Sequence, residues 1–225
     1  MTPFYEQDGI TIYHGRAEVV LPTLSPVDLL ATDPPYGIGA DSRQRNRANK
    51  QHGAAAAASK DYGVSDWDST APPQWMLLQA VGKASHSIIW GGNNFGLPGS
   101  TCWLVWDKDN GDNGYADCEL AWTNLKKAVR KVRYRWMGML QEHGGSNKEP
   151  RFHPTQKPLA VMTWAIQQAP DECMTILDPW MGSGTTLRAA KDLGRHAIGI
   201  EQDERYCEIA AKRMAQGILF GTSVM

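Results

Sequence analysis

Asp33-Pro34-Pro35-Tyr36 closes the apolar run of residues 27–32. That run reads as a buried strand, which makes the tetrapeptide its mouth. Proline at 34 biases Asp33 toward an extended backbone, and the two prolines remove two N–H groups. A stiff edge of acceptors remains, one carboxylate and bare carbonyls. Such an edge suits a planar amino group with two hydrogens to place, and the Tyr36 ring suits the flat heterocycle bearing it. The plainer alternative is a strand ending in a proline turn.

A second constellation lies near the other end. Residues 175–178 form an apolar strand ending in Asp178, Pro179-Trp180-Met181-Gly182-Ser183-Gly184 is a glycine turn, 185–193 is a helix, and 196–201 is a strand ending in Glu201. This order suits a nucleoside cofactor: Gly182 and Gly184 let the backbone approach the ligand, and the acidic residue accepts ribose hydroxyls. The turn is not G-x-G-x-x-G, and Pro179 and Trp180 argue against a pyrophosphate cradle. A cofactor with a ribose and no phosphates fits better, S-adenosylmethionine above all. Glycine serving only to close a tight strand-to-helix turn is the alternative.

The elements that must position these groups follow from periodicity. Residues 10–14 alternate as a strand, and 17–24 form a short helix stopped by Pro26. Residues 72–84 are helical, with Trp75, Leu77, Leu78 and Val81 expected inside. Residues 87–90 form a buried strand ending in Gly91-Gly92-Asn93-Asn94, and 102–106 and 118–122 are two more strands, whose Trp103, Trp106 and Trp122 read as core. Residues 126–139 leave helix and strand open. His153-Pro154-Thr155-Gln156-Lys157-Pro158 leads into a helix reaching about residue 168, and 204–216 is a terminal helix. The aperiodic stretch 40–66 follows the acceptor edge directly, and its position predicts a mobile flap.

The chain has 225 residues, 42% hydrophobic and 21% charged, as expected of one α/β domain. No apolar run approaches the roughly 18 residues of a membrane span, and the first 15 residues do not read as a leader. A cytoplasmic protein with no membrane partner is expected. Cys102, Cys118, Cys173 and Cys207 are widely spaced with no histidine at ligand spacing, which predicts reduced core cysteines and no metal. The net charge is −1, but its distribution is uneven. Arg43, Arg45, Arg47, Lys50 and Lys60 face only Asp41, and Lys126, Lys127, Arg130, Lys131, Arg133, Arg135, Lys148 and Arg151 face only Glu142 and Glu149. Two such runs flanking a site read as a polyanion footprint, against the alternative of a solvated charged face.

The Asp33–Tyr36 motif, the turn from Asp178 through Thr185 and Thr186, and residues 153–158 together resemble the S-adenosylmethionine-dependent DNA amino-methyltransferases, which act on adenine N6 or cytosine N4. The catalytic motif precedes the cofactor motif, the β-type order, and short phage and prophage DNA adenine methylases are similar over nearly the whole chain. The resemblance implies a Rossmann-like α/β fold, a mostly parallel seven-stranded sheet with one antiparallel strand and helices on both faces. It places strand 10–14 beside strand 196–201.

It also implies roles. Asp33 and the Pro34 carbonyl accept the two amine hydrogens, Pro35 stiffens the edge, and Tyr36 stacks on a base flipped out of double-stranded DNA. Asp178 meets the methionine amino group, with Pro179 beside it. Trp180, where the family more often has phenylalanine, walls the adenine ring, and Gly182, Gly184 and Thr185 shape the turn. Glu201 takes the ribose. His153, Thr155 and Lys157 reach the methionine carboxylate, unless Thr155 is a helix cap and Lys157 a surface charge. Arg43, Arg45, Arg47, Lys126, Lys127, Arg130, Lys131 and Arg133 are the DNA-contact candidates, the last five within a small insertion at 124–152. Aspartate at 33 favours adenine; cytosine N4, an RNA or protein substrate, or a noncatalytic binding protein are the alternatives. A monomer and a homodimer are equally compatible with the sequence.

Overall fold

The structure, a computed structural model, describes residues 1–37, 70–111, 116–137, 140–143, 148–152 and 155–217. The expected flap at 40–66, with Arg43, Arg45 and Arg47, lies outside the described residues, as does His153.

The strands are β1 (Tyr5–Gln7), β2 (Ile10–His14), β3 (Val27–Thr32), β4 (Ala84–Trp90), β5 (Trp103–Asp107), β6 (Cys118–Thr123), β7 (Arg130–Arg133), β8 (Trp136–Met137), β9 (Leu140–Gln141), β10 (Thr175–Asp178) and β11 (His196–Glu201). The helices are α1 (Ala17–Val20), α2 (Gln74–Gly82), α3 (Leu159–Ile166), α4 (Thr185–Asp192) and α5 (Glu204–Ala215). Nine of the described strands form one sheet in the order β1-β2-β11-β10-β3-β4-β6-β5-β7, and β8 and β9 form a separate hairpin. The five strands from β2 to β4 are mutually parallel, and β6 runs antiparallel to both its neighbours. This is the expected seven-stranded arrangement extended at each edge, by antiparallel β1 and by parallel β7.

Alternation along each central strand feeds two cores. Leu29, Ala31, Ile88, Trp90 and Ile176 pack toward Val161, Met162, Ile166, Leu187, Ala190 and Ala210 of α3, α4 and α5. Leu30, Ile89, Leu177 and Ile200 pack toward Val20 and Ala80 of α1 and α2. Strands covered on both faces must be apolar at nearly every position, which is why 27–32 and 175–178 read as continuous runs. β2 pairs with β11 in parallel register, Ile12 opposite Gly199, as the permuted motif order requires.

Two expectations need correction, and one left open is decided. The buried face of α2 is Met76, Leu77 and Ala80, with Val81 partly buried, whereas Leu78 is exposed and Trp75 is 57% exposed. Trp75 instead lines the cleft described below, so its size reflects a wall rather than the core. Cys118, at the start of β6, is exposed; the other three cysteines are buried. Residues 126–137 contain no helix: 130–133 form an edge strand in which Arg130, Lys131 and Arg133 are exposed and Val132 packs against the core. Trp106 and Trp122 are core residues, and Trp103 is partly buried. No helix among the described residues is long and apolar enough to cross a membrane.

Candidate active site

The parallel strands deliver Asp33, Asp178, Glu201 and Gly91 to one carboxyl edge. β3 leads onward to β4 on one side and β10 to β11 on the other, so the crevice between β3 and β10 is the switch point of the sheet, where α/β folds bind ligands. A cleft of about 1000 Å³ opens there. Its walls include Asp33 through Tyr36, Asp178 through Ser183, Thr185, Glu201, Glu119, Thr155, Lys157 and Trp75. Both sequence constellations therefore face one cavity, joined at its floor by Thr32 Oγ1, which donates to Asp178 Oδ1 at 2.6 Å.

On the cofactor-motif side, Gly182 (φ +50°) and Gly184 (φ +78°) adopt the left-handed backbone that glycine permits. A Cβ on Gly184 would lie 2.9 Å from Ala210 Cβ of α5, and one on Gly182 would meet nothing within 4 Å. Gly184 is thus set by packing, while Gly182 leaves open room beside the cleft. Glu201 holds the turn from across β11, accepting from the Gly182 N–H at 3.0 Å and from the Asp203 N–H at 2.8 Å. Burial raises the Glu201 carboxyl to about 7, against those N–H donors. Burial likewise raises Asp178 to about 6, although Thr186, Thr32 and the Trp180 N–H donate to it. Buried carboxyls held near neutrality are ready to ionise against a cation or hydroxyl donors. No cluster of three His, Cys, Asp or Glu side chains among the described residues is placed to hold a metal ion.

On the other side, Tyr36 Oη donates to Asp33 Oδ1 at 2.6 Å. The Tyr36 ring lies directly on Gly91, whose Cβ, were there one, would sit 2.1 Å from Cε1, and meets Phe95 edge-on at 6.2 Å. Lys157, only 6% exposed, is no surface charge. Its ammonium lies 2.7 Å from Asp33 Oδ1, 3.0 Å from Glu119 Oε2 and 3.0 Å from Tyr36 Oη. Lys108 meets the other Glu119 oxygen at 2.5 Å. Burial raises Asp33 and the nearby ammonium of Lys157 opposes it. Burial would raise Glu119 too, but Lys157 and Lys108 hold it down at about 2.

The lysine that the sequence directs to a methionine carboxylate is thus engaged at the acceptor edge. Thr155 lines the cleft, and Glu149 caps α3, its Oε2 accepting from the Leu159 N–H at 2.9 Å. The turn at Gly91 is legible as a candidate binding element, whereas Glu119 and Lys108 carry no local motif that marks them as site residues, because each reaches the site from a strand end. Of the basic candidates, Lys126, Lys127, Arg130, Lys131 and Arg133 are exposed, and none lines the cleft. Lys127 donates to the Gln168 carbonyl at 2.6 Å, Lys131 pairs with Asp107 at 3.2 Å, and Arg133 pairs with Asp109.

The sheet order and the cleft at its switch point define a methyltransferase fold. Residues 103–212 match the family model described as DNA methylase, of the N6/N4 type. The type II methyltransferase M2.LlaDCHI of Lactococcus lactis subsp. cremoris is 26% identical over 267 residues, covering 97% of this chain and 94% of that protein. Among solved structures, the M1.HpyAVI–SAM complex aligns with a TM-score of 0.55 at 23% identity, over 92% of this chain and all of that one. The cytosine-N4-specific PvuII DNA methyltransferase aligns at 0.57 and 12% identity, over 96% and 89%. The chain is thus similar to the N6/N4 DNA amino-methyltransferases, in the family model across residues 103–212 and in these relatives along nearly its whole length.

Proposed function

We propose that this protein transfers a methyl group from S-adenosylmethionine to the N6 amine of an adenine flipped out of double-stranded DNA. The observation that carries this reading is the single cleft, with the Asp33–Tyr36 acceptor edge and the Asp178–Glu201 cradle on facing walls, tied by the Thr32–Asp178 bond. The open room at Gly182 and two ionisable carboxyls fit a ligand with a ribose diol and an α-amino group. When bound, S-adenosylmethionine supplies an electrophilic methyl group on a sulfonium.

An exocyclic amine is a poor nucleophile because its lone pair is delocalised into the ring. The protein's contribution is positioning, together with acceptors that favour a pyramidal nitrogen as positive charge develops there. Asp33 and the Pro34 carbonyl accept the two amine hydrogens, and Tyr36 faces the base. Asp33 is placed to receive the proton that the amine nitrogen loses as the bound cofactor gives up its methyl group and keeps the electron pair of its S–C bond. Asp178 holds the α-amino group and Glu201 the ribose. Aspartate rather than serine at the head of the motif supports adenine over cytosine. The exposed Lys126 and Arg130 supply phosphate contacts.

The test is incubation with methyl-labelled S-adenosylmethionine and unmethylated genomic DNA, digestion to nucleosides and mass spectrometry. N6-methyladenine from the wild type, and none from Asp33→Ala with cofactor binding intact, is the expected result. N4-methylcytosine keeps the mechanism and changes the base. Cofactor binding without any methylated nucleoside moves the reading to an RNA or protein substrate or to a noncatalytic role.

A further inference from the structure

Lys157 is buried at the acceptor edge, and its three N–H groups have three acceptors in Asp33, Glu119 and Tyr36. A side chain so engaged has no donor left for substrate. Three separate parts of the chain converge on it: the turn after β3, the strand β6, and the segment leading into α3. Lys108, at the end of β5, closes the cluster from behind Glu119. Two carboxylates and two ammonium groups then balance, so the cluster is neutral as a unit.

We propose that Lys157 is the positioning residue of Asp33: it and Tyr36 pin Oδ1, orienting Oδ2 toward the amine, and Glu119 is the counter-charge that holds Lys157 in place. A lone carboxylate in a closed pocket would neutralise itself by taking up a proton and would then accept hydrogen bonds poorly. The ammonium keeps Asp33 ionised when a neutral base displaces water around it. Glu119 has a second effect of opposite sign, since its own charge disfavours the Asp33 anion. The groups facing Asp33 are Lys157 and Tyr36 in contact, Glu119 across the ammonium, Lys108 behind Glu119, and Asp178 from β10. This assignment rests on the methyl-transfer reading for what Asp33 does, but not for how Asp33 is held.

The experiment is a ¹³C-carboxyl NMR titration of Asp33, assigned with Asp33→Asn, in the wild type, Lys157→Met, Lys157→Arg and Glu119→Gln, beside the pH profile of methyl transfer. Lys157→Met should raise the Asp33 midpoint by about 1–3 pH units, the range expected for an opposite charge at contact distance. Glu119→Gln should lower it, and Lys157→Arg should fall between Lys157→Met and the wild type. The acid limb of kcat should move with each midpoint while KM for the cofactor stays within about twofold. A merely structural lysine would move neither limb nor midpoint.

An unmoved midpoint in Lys157→Met overturns the proposal. If that variant does not fold, coincident midpoints in Lys157→Arg, Glu119→Gln and the wild type overturn it equally. Midpoints that move as stated in a protein that transfers no methyl group would leave the pinning of Asp33 standing and refute the reaction. Methyl transfer with immobile midpoints would do the reverse.

Discussion

Thr32 Oγ1 donates to Asp178 Oδ1 across 2.6 Å, joining the last residue of the strand that carries the acceptor edge to the last residue of the strand that carries the glycine turn. Both residues are buried, so the bond has no water to replace it. Thr32→Val keeps the shape and removes the donor. Leaving a buried carboxyl one partner short costs about 1–3 kcal/mol and raises Asp178 further. Urea unfolding should show that loss, and calorimetric titration with S-adenosylmethionine should show weaker binding; Thr32→Ser should restore most of both.

The carboxyls of the cleft predict how stability depends on pH. Asp178 at about 6 and Glu201 at about 7 are raised above their unfolded values. Groups raised in this way bind protons more tightly in the folded state. Their contribution is therefore fully present below about pH 4 and is lost as pH rises through 6 and 7, at about 1.4 kcal/mol for each tenfold difference in proton affinity between the folded and unfolded chains. Glu119, held at about 2, works in the opposite sense, its contribution present above its unfolded value and lost as pH falls toward 2. Thermal melts of the ligand-free protein between pH 5 and 8 should decline with pH, and Glu201→Gln should flatten the slope. Cofactor affinity should rise over the same interval, on the order of tenfold from pH 6 to 8, because binding draws on the ionised forms.

Gly91 follows β4 in the left-handed region, φ +65°, with the Tyr36 ring occupying the place a Cβ would take. Gly91→Ala places a methyl group inside that ring and strains the backbone by about 1–3 kcal/mol. The ring must move by about an ångström or more. Methyl transfer should then fall by about 10²-fold, the usual cost of a misplacement of that size, with cofactor affinity nearly unchanged. Single-turnover kinetics beside calorimetry separates the two effects. Equal losses in both would show that the turn as a whole had collapsed.

Asp109 pairs with both Arg133 and Arg135 on the exposed edge of the sheet, offsetting one of their two charges, and Asp107 pairs with Lys131. Much of the basic run is therefore balanced internally, leaving fewer cations for phosphates than its sequence suggests. Asp109→Asn removes the counter-charge and still tolerates the left-handed backbone at that position, φ +48°. DNA affinity at low salt should increase, and the slope of log K against log salt should steepen by about 1–2. An unchanged slope would place this edge away from the bound duplex.

Elements that rest on local signals are legible along the chain without any tertiary information. Continuous apolar runs marked β3 and β10 because strands covered on both faces must be apolar throughout, and the sequence of strand, glycine turn, helix and acidic strand end marked the cofactor cradle. The family resemblance, through its permuted motif order, implied β2 beside β11, and the parallel register bears that out. The misplacement of Trp75 has the same origin, since helical spacing cannot distinguish a core face from a cleft wall. What joins distant residues was decided only by the tertiary structure. Lys157 and Tyr36 are 121 positions apart, and Thr32 and Asp178 are 146 apart. Neither pair leaves a periodic or spaced signature, because each contact joins segments brought together only at the carboxyl edge of the sheet: two strand ends for Thr32 and Asp178, and the turn after β3 with the segment leading into α3 for Tyr36 and Lys157. Whether a lysine meets solvent or a buried carboxylate, and whether an arginine is free or already paired, depends on what the other strands bring to the same edge.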